Sequence, residues 1–349
     1  MHNDSNVPYS FGANFTHFGR FFYGKCPEWV LYGFLASFSL GSCFNFLECF
    51  VLLRCKRDGI LSIILQINLV DCLLSLVALQ DLLSTYQETW TASNGLCMFY
   101  NGTSTLANTL LIYLLICLNF HVITFWNLHN KQTNKNPLTG FGDGSSSECL
   151  VTRSDISRTV TIDYRKRKSD ISVLLPVIFA WVLSVSISMP VYVLSTKVNV
   201  EGAISVCVLM KNFHGLALNV SVLVFSAVLP SLLLLTSLFI LLHKLRKTIR
   251  RNDIIGMAEL KVKKQLLIFS VVLTSFYVVT SYQRHIFTVV LTVREILFKQ
   301  NYYYNNYLNV YQILWHYSGT GLRGLIFYLF VPDLRKVLRE KLFCLRRDS

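Results

Sequence analysis

Among the ionisable residues that stand inside long apolar runs of this 349-residue chain, four are singled out: Glu48, Asp71, His316 and Arg323. A charge held at membrane depth costs roughly 2.5–3.5 kcal/mol on insertion scales unless it is paired. Each is therefore a candidate for neutralisation by a neighbour of opposite sign. Other chemistries are poorly served. No Cys/His cluster has the spacing of a zinc site, and no nucleophile lies near a base in usable context, so neither a metal, another cofactor nor enzymatic activity is expected. The run Gly140-Phe141-Gly142-Asp143-Gly144 is glycine-rich. It lacks a flanking strand and helix and a terminal Gly-Lys-Ser/Thr, and reads as a flexible turn rather than a phosphate loop.

The elements that must position those four charges follow from composition. Hydrophobic residues make up 53% of the chain and charged residues 15%, with a mean hydropathy of +0.46. A soluble chain carries roughly 25% charged residues, so the apolar excess must face something besides its own core. Runs of about 20 apolar residues match a bilayer core. They lie at Trp29–Leu53, Leu61–Leu83, Leu106–Phe125, Ile171–Leu194, Leu216–Leu242, Leu266–Val290 and Leu308–Phe330. The last is the weakest because it holds His316 and Arg323. The runs are continuous rather than alternating, which favours helices over a barrel. The fold expected is an all-α membrane protein, a seven-transmembrane helix bundle. Residues 1–28 precede it, 29–330 form the bundle, 129–170 make a long connection within it, and 331–349 form the tail.

The formal charge of +14 might suggest nucleic acid, but its distribution does not. Twenty-five of the 33 Lys and Arg residues fall in the first, third and fifth connections and the tail, and six on the other face. The positive-inside rule then sets the N-terminus outside and the tail in the cytoplasm. Sequons at Asn3, Asn14 and Asn101 fall on the outer side, making them candidate glycosylation sites. The first 27 residues lack a short apolar run before a small-residue cleavage site, so no cleaved signal peptide is expected. Of ten cysteines, three face outside: Cys26, Cys97 before the third helix, and Cys207 between the fourth and fifth.

These features resemble a rhodopsin-like (class A) G-protein-coupled receptor over nearly the whole chain. Trp90 stands seven residues before Cys97. Asn45 in the first helix and Asp71 in Asn68-Leu69-Val70-Asp71 look like the family's polar pair. Trp181 with Pro190 fits the fourth helix and Pro230 the fifth. Tyr328-Leu329-Phe330 followed by Pro332-Asp333-Leu334-Arg335 looks like a seventh helix turning into a short amphipathic C-terminal helix. That helix would lie on membrane lipids, with Cys344 beside it as a lipidation site. The resemblance implies a Cys97–Cys207 disulfide pinning the outer loop over the bundle, with Cys26 unpaired. It further implies an extracellular ligand and a heterotrimeric G protein as partners.

The departures are specific. Where the family has Asp-Arg-Tyr, the matching stretch is Asn119-Phe120-His121. Where it has Asn-Pro-x-x-Tyr, the chain has Gly324 to Tyr328, and the sixth helix lacks Cys-Trp-x-Pro. In the family the aspartate matching Asp71 lines a hydrated sodium pocket. Here Arg323 is expected to neutralise Asp71 or Glu48 in its place, the alternative being that it snorkels to the cytoplasmic surface. Asn45, Glu48, Asp71 and Arg323 thus form the candidate intramembrane switch. Asn119, Phe120, His121 and Tyr328 are the candidate G-protein side. The matching retinal-lysine position holds Ser318, and the third span holds no aspartate for an amine. The outer aromatics, Tyr302-Tyr303-Tyr304 among them, favour a peptide ligand or form an interfacial belt. Two other readings stand beside this one. A decoy receptor would bind without signalling. A channel or transporter subunit commonly shows internal repeats or broken helices, and neither is found.

Overall fold

The computed structural model describes residues 28–54, 59–87, 89–133, 172–200, 204–209, 220–250, 257–283, 286, 290, 306–332, 334–336 and 338–339. Among them run seven long helices. They are α1 (Glu28–Leu53), α2 (Gly59–Gln87), α3 (Asn94–Thr133), α4 (Leu174–Leu194), α5 (Leu229–Arg250), α6 (Met257–Tyr277) and α7 (Asn306–Phe330). Single π-helical turns extend two of them, Val224–Val228 ahead of α5 and Val278–Tyr282 after α6. Among the described residues, six helices are long and apolar enough to cross a membrane, and α7 is not one of them. Its polar residues lower the hydropathy that its 25 residues would otherwise supply.

Packing explains why the apolar runs are helical all round. On α4, Val177, Ala180, Ser184, Ile187, Ser188 and Val191 are buried, while Ile178, Phe179, Val182 and Val185 remain exposed. The buried set recurs at three- and four-residue spacing, which gives one inward stripe. The exposed set is as apolar as the core, which suits lipid rather than water. α3 is the central element and packs against α2, α4, α5 and α6. Its residues Leu110, Leu111, Ile112, Leu114, Leu115 and Leu118 have no exposed surface at all.

Several element boundaries differ from the apolar runs. The third run was expected over Leu106–Phe125, and α3 extends it by turns at both ends. α6 likewise begins at Met257, inside the expected basic connection. A helix satisfies its own backbone hydrogen bonds, so it continues past the apolar segment that hydropathy detects. Purely helical architecture also needs correction. A two-stranded antiparallel hairpin, β1 (Ser195–Val200) with β2 (Ile204–Leu209), follows α4 directly. Beyond Phe330, residues 334–336 and 338–339 are helical, with Leu334 and Leu338 buried. Asn3, Asn14, Cys26 and Cys344 lie outside the described residues.

Candidate functional site

The four candidate charges belong to three helices, and small residues bring two of those helices together. A Cβ on Gly321 of α7 would lie 3.0 Å from the backbone nitrogen of Gly41 on α1 and 3.2 Å from its Cα. Only glycine permits that approach. One turn along, Asn45 Nδ2 donates to the Thr320 carbonyl at 3.2 Å. Asn45 and Glu48 are three residues apart on α1, as Asn68 and Asp71 are on α2, so each pair shares a face. Asn68 Nδ2 donates to Glu48 Oε2 at 2.9 Å.

Arg323 reaches from α7 to α2. Its Nε donates to Asp71 Oδ2 at 2.9 Å, and its Nη2 donates to Oδ1 at 2.5 Å. Both side chains are fully buried, so Arg323 does not reach an aqueous surface. The two parallel bonds are the fork geometry in which a guanidinium best matches a carboxylate. A sodium ion at Asp71 does not fit this arrangement, because both carboxylate oxygens are already bonded to the guanidinium. Glu48 differs: its Oε1 has no hydrogen-bond partner among the described residues. His316 lies higher on α7, buried, with its ring 5.4 Å from that of Tyr317.

The expected G-protein side is not gathered into one face. Asn119 is buried and joins three helices. Its Nδ2 donates to Ser237 Oγ of α5 at 2.9 Å, while Ser270 Oγ and Thr274 Oγ1 of α6 donate to its Oδ1 at 2.6 and 3.0 Å. Phe120 is 46% exposed and faces out of the bundle. His121 is buried against Gly59 at the start of α2. Tyr328 is partly buried on α7. α3 continues to Thr133, so this trio is not at the helix end. Near that end, Lys244 Nζ of α5 donates to Asn127 Oδ1 at 2.6 Å.

The opposite end of the bundle is tied to the hairpin. A disulfide links Cys97 of α3 to Cys207 of β2. Ser93 caps α3 by accepting from the Leu96 N–H at 3.2 Å. Asn94 Oδ1 accepts from the Lys197 N–H at 2.7 Å, and the Trp90 N–H donates to the Ser205 carbonyl at 2.8 Å. Asn101 does not stand free for a glycan. Its Nδ2, the atom a sugar would take, donates to Cys207 Sγ at 3.2 Å, and Thr103 is buried with its hydroxyl 2.9 Å from that of Tyr192.

Sequence reasoning missed two features here. The carboxylate of Asp81 on α2 accepts from the phenol of Tyr100 on one oxygen and from that of Tyr317 on the other. The signal was a carboxylate inside the second apolar run, two residues before its end at Leu83. The second feature concerns the π-helical turns. Pro230 has no N–H to offer the π turn, and the carbonyl of Phe225, five residues back, instead accepts from the Tyr113 hydroxyl of α3 at 2.9 Å. On α6, the Val279 carbonyl accepts from Trp315 Nε1 of α7 at 3.1 Å.

The family model described as 7 transmembrane receptor (rhodopsin family) matches residues 159–318. The match supports a class A, rhodopsin-like G-protein-coupled receptor, and receptors of that family are not enzymes. It spans α4 to the first half of α7, so Asp71 and Arg323 both lie outside the matched stretch. No curated protein matches the chain.

Proposed function

We propose that the protein is a plasma-membrane receptor with its N-terminus outside, which binds an extracellular ligand and signals to a heterotrimeric G protein. The family match over residues 159–318 carries this reading. The ligand is taken to enter at the hairpin end, where Asp81, Tyr100 and Tyr317 meet, and a peptide is preferred because aromatic side chains crowd the outer segments. The G protein is taken to dock on the basic face, where 25 of the 33 Lys and Arg residues fall. Under this reading Asn3 and Asn14 carry glycans, Cys344 carries a lipid and the tail lies against the membrane surface. Binding would bias two arrangements of the bundle, and α5 and α6 are suited to repacking because their π-helical turns already interrupt the regular ladder.

The decoy reading keeps one observation in its favour, the absence of an arginine from Asn119-Phe120-His121. A G-protein activation assay on cells expressing the protein, screened with a peptide library and with ion currents recorded in parallel, separates the possibilities. Ligand-dependent nucleotide exchange supports the proposal. Ligand uptake without exchange overturns it in favour of a decoy, and currents without exchange overturn it in favour of a channel.

A further inference from the structure

The buried layer shared by α1, α2 and α7 contains two carboxyl groups and one guanidinium. Glu48 is 2% exposed, and Asp71 and Arg323 have no exposure. The guanidinium bonds both oxygens of Asp71 and none of Glu48. As an anion, Glu48 would leave one uncompensated negative charge at membrane depth, with the Asn68 amide as its single donor among the described residues and Asp71 acting on it with the same sign. Such a charge is expensive in a low-dielectric interior.

The hydrogen-bond inventory points the same way. Three buried oxygens in this layer have no donor among the described residues: Glu48 Oε1, Asn45 Oδ1 and Asn68 Oδ1. Gly324 of α7 leaves a narrow niche beside two of these side chains: a Cβ there would sit 3.0 Å from Asn45 Oδ1 and 3.7 Å from the other Glu48 oxygen, Oε2. The unpartnered donor alongside them is Arg323 Nη1, on a guanidinium that bonds Asp71 and not Glu48, so Glu48 Oε1 is left without a donor. A carboxylate accepts only, whereas a carboxylic acid adds one O–H. One proton on Glu48 supplies a donor and removes the unpaired charge together.

We propose that Glu48 is a proton-binding site, protonated in the folded bundle, which couples proton activity to the packing of α1 against α2 and α7. The charged and titratable groups around it are Asp71 and Cys72 on α2, Arg323 on α7, and Cys49 beside it on α1. Of these, Asp71 and Arg323 neutralise each other. A proton fits the site better than a metal ion, because an alkali ion would need more oxygen ligands than the three unpartnered ones. The proposal is independent of the ligand and of G-protein coupling.

The test uses the full chain purified in detergent or in nanodiscs of neutral lipid, in sodium-free buffer. Thermal unfolding is followed from mildly acidic to mildly alkaline pH for the wild type and Glu48→Gln. A proton held in the folded state and released on unfolding makes stability fall as pH rises. The loss reaches at most about tenfold in the folded-to-unfolded ratio per pH unit for one proton. Glu48→Gln should match the wild type at low pH and lack that slope. Infrared spectra in water and deuterium oxide should show a protonated-carboxyl stretch at neutral pH that Glu48→Gln removes. Should that variant not fold, Glu48→Asp keeps the acid, and the band should shift rather than vanish. A wild type with no such band overturns the proposal, as does an identical pH slope in Glu48→Gln. A midpoint in the wild type that rises with sodium at fixed pH, and does not in the variant, also overturns it, in favour of a metal ion.

Discussion

Arg323 holds Asp71 by a bidentate salt bridge that occupies both carboxylate oxygens, and it thereby ties α7 to α2. Among the described residues, Arg323 bonds no carboxylate but Asp71, and Asp71 bonds no other cation. Removing either one strands a buried ion, which costs about 3–5 kcal/mol. Arg323→Ala and Asp71→Ala should each lower the thermal midpoint and surface expression sharply. Asp71→Asn combined with Arg323→Gln should recover much of the loss, because neither charge then remains. A double variant as unstable as the sum of the two singles would count against the pair. Exchanging sodium for potassium should leave the wild-type midpoint where it is.

Asn119 holds α3, α5 and α6 together through three hydroxyl partners. Asn119→Ala leaves Ser237 able to donate to its own helix, at the Leu234 carbonyl, but removes the cross-helix bonds. We expect a loss of about 1–3 kcal/mol. If the protein signals as proposed, ligand-independent nucleotide exchange should rise as α6 loosens from α3. Basal exchange no higher than wild type at equal surface expression would show that this contact does not restrain the active arrangement.

Gly321 and Gly41 set the spacing of α7 and α1. Gly321→Ala should destabilise by about 1–3 kcal/mol, since the added methyl meets backbone rather than a side chain that can turn away. Gly95→Ala is the matched control. Its Cβ meets only Ser93 Oγ at 4.0 Å, and alanine is the better helix former by about 1 kcal/mol. The two variants should therefore move the melting temperature in opposite directions.

Tyr113→Phe removes a single hydroxyl, and with it the side-chain partner of the Phe225 carbonyl. A buried acceptor left bare costs about 1–3 kcal/mol. Hydrogen exchange should quicken in the π-helical turn Val224–Val228 before it quickens elsewhere in α5. Uniform exchange along the helix would contradict this role for Tyr113.

Asn101→Gln should leave the mass released by glycosidase unchanged, because Asn101 Nδ2 is engaged with the disulfide sulfur. A loss of one glycan in that variant would show that the amide is available while the chain is made.

Much of the site was legible because charges are rare in apolar runs. Asp71 and Arg323 stood out on composition, whereas the choice between Asp71, Glu48 and the cytoplasmic surface as the place Arg323 reaches needed coordinates. The clasp around Asn119 could not be read in the same way. Ser237, Ser270 and Thr274 look like any hydroxyl residue in a membrane helix, where a bond to the same helix is the ordinary outcome. Tyr113 was equally hidden, since its partner is a backbone carbonyl exposed by Pro230 several residues away. The hairpin did leave a trace. Val198 and Val200, then Ile204, Val206 and Val208, alternate around a glycine-containing turn, but the segment was read as a plain connection between two helices. Asn101 lies in a sequon whose amide also bonds the disulfide sulfur, a contact that the motif does not reveal.

α3 has 40 residues, which at 1.5 Å each makes a rod about 60 Å long, roughly twice the hydrocarbon thickness of a bilayer. One end is clamped by the disulfide to the hairpin, and near the other Asn127 is gripped by Lys244 of α5. Such a shaft joins the hairpin to the basic end through one continuous helix, whose leucine-rich middle is packed against four other helices.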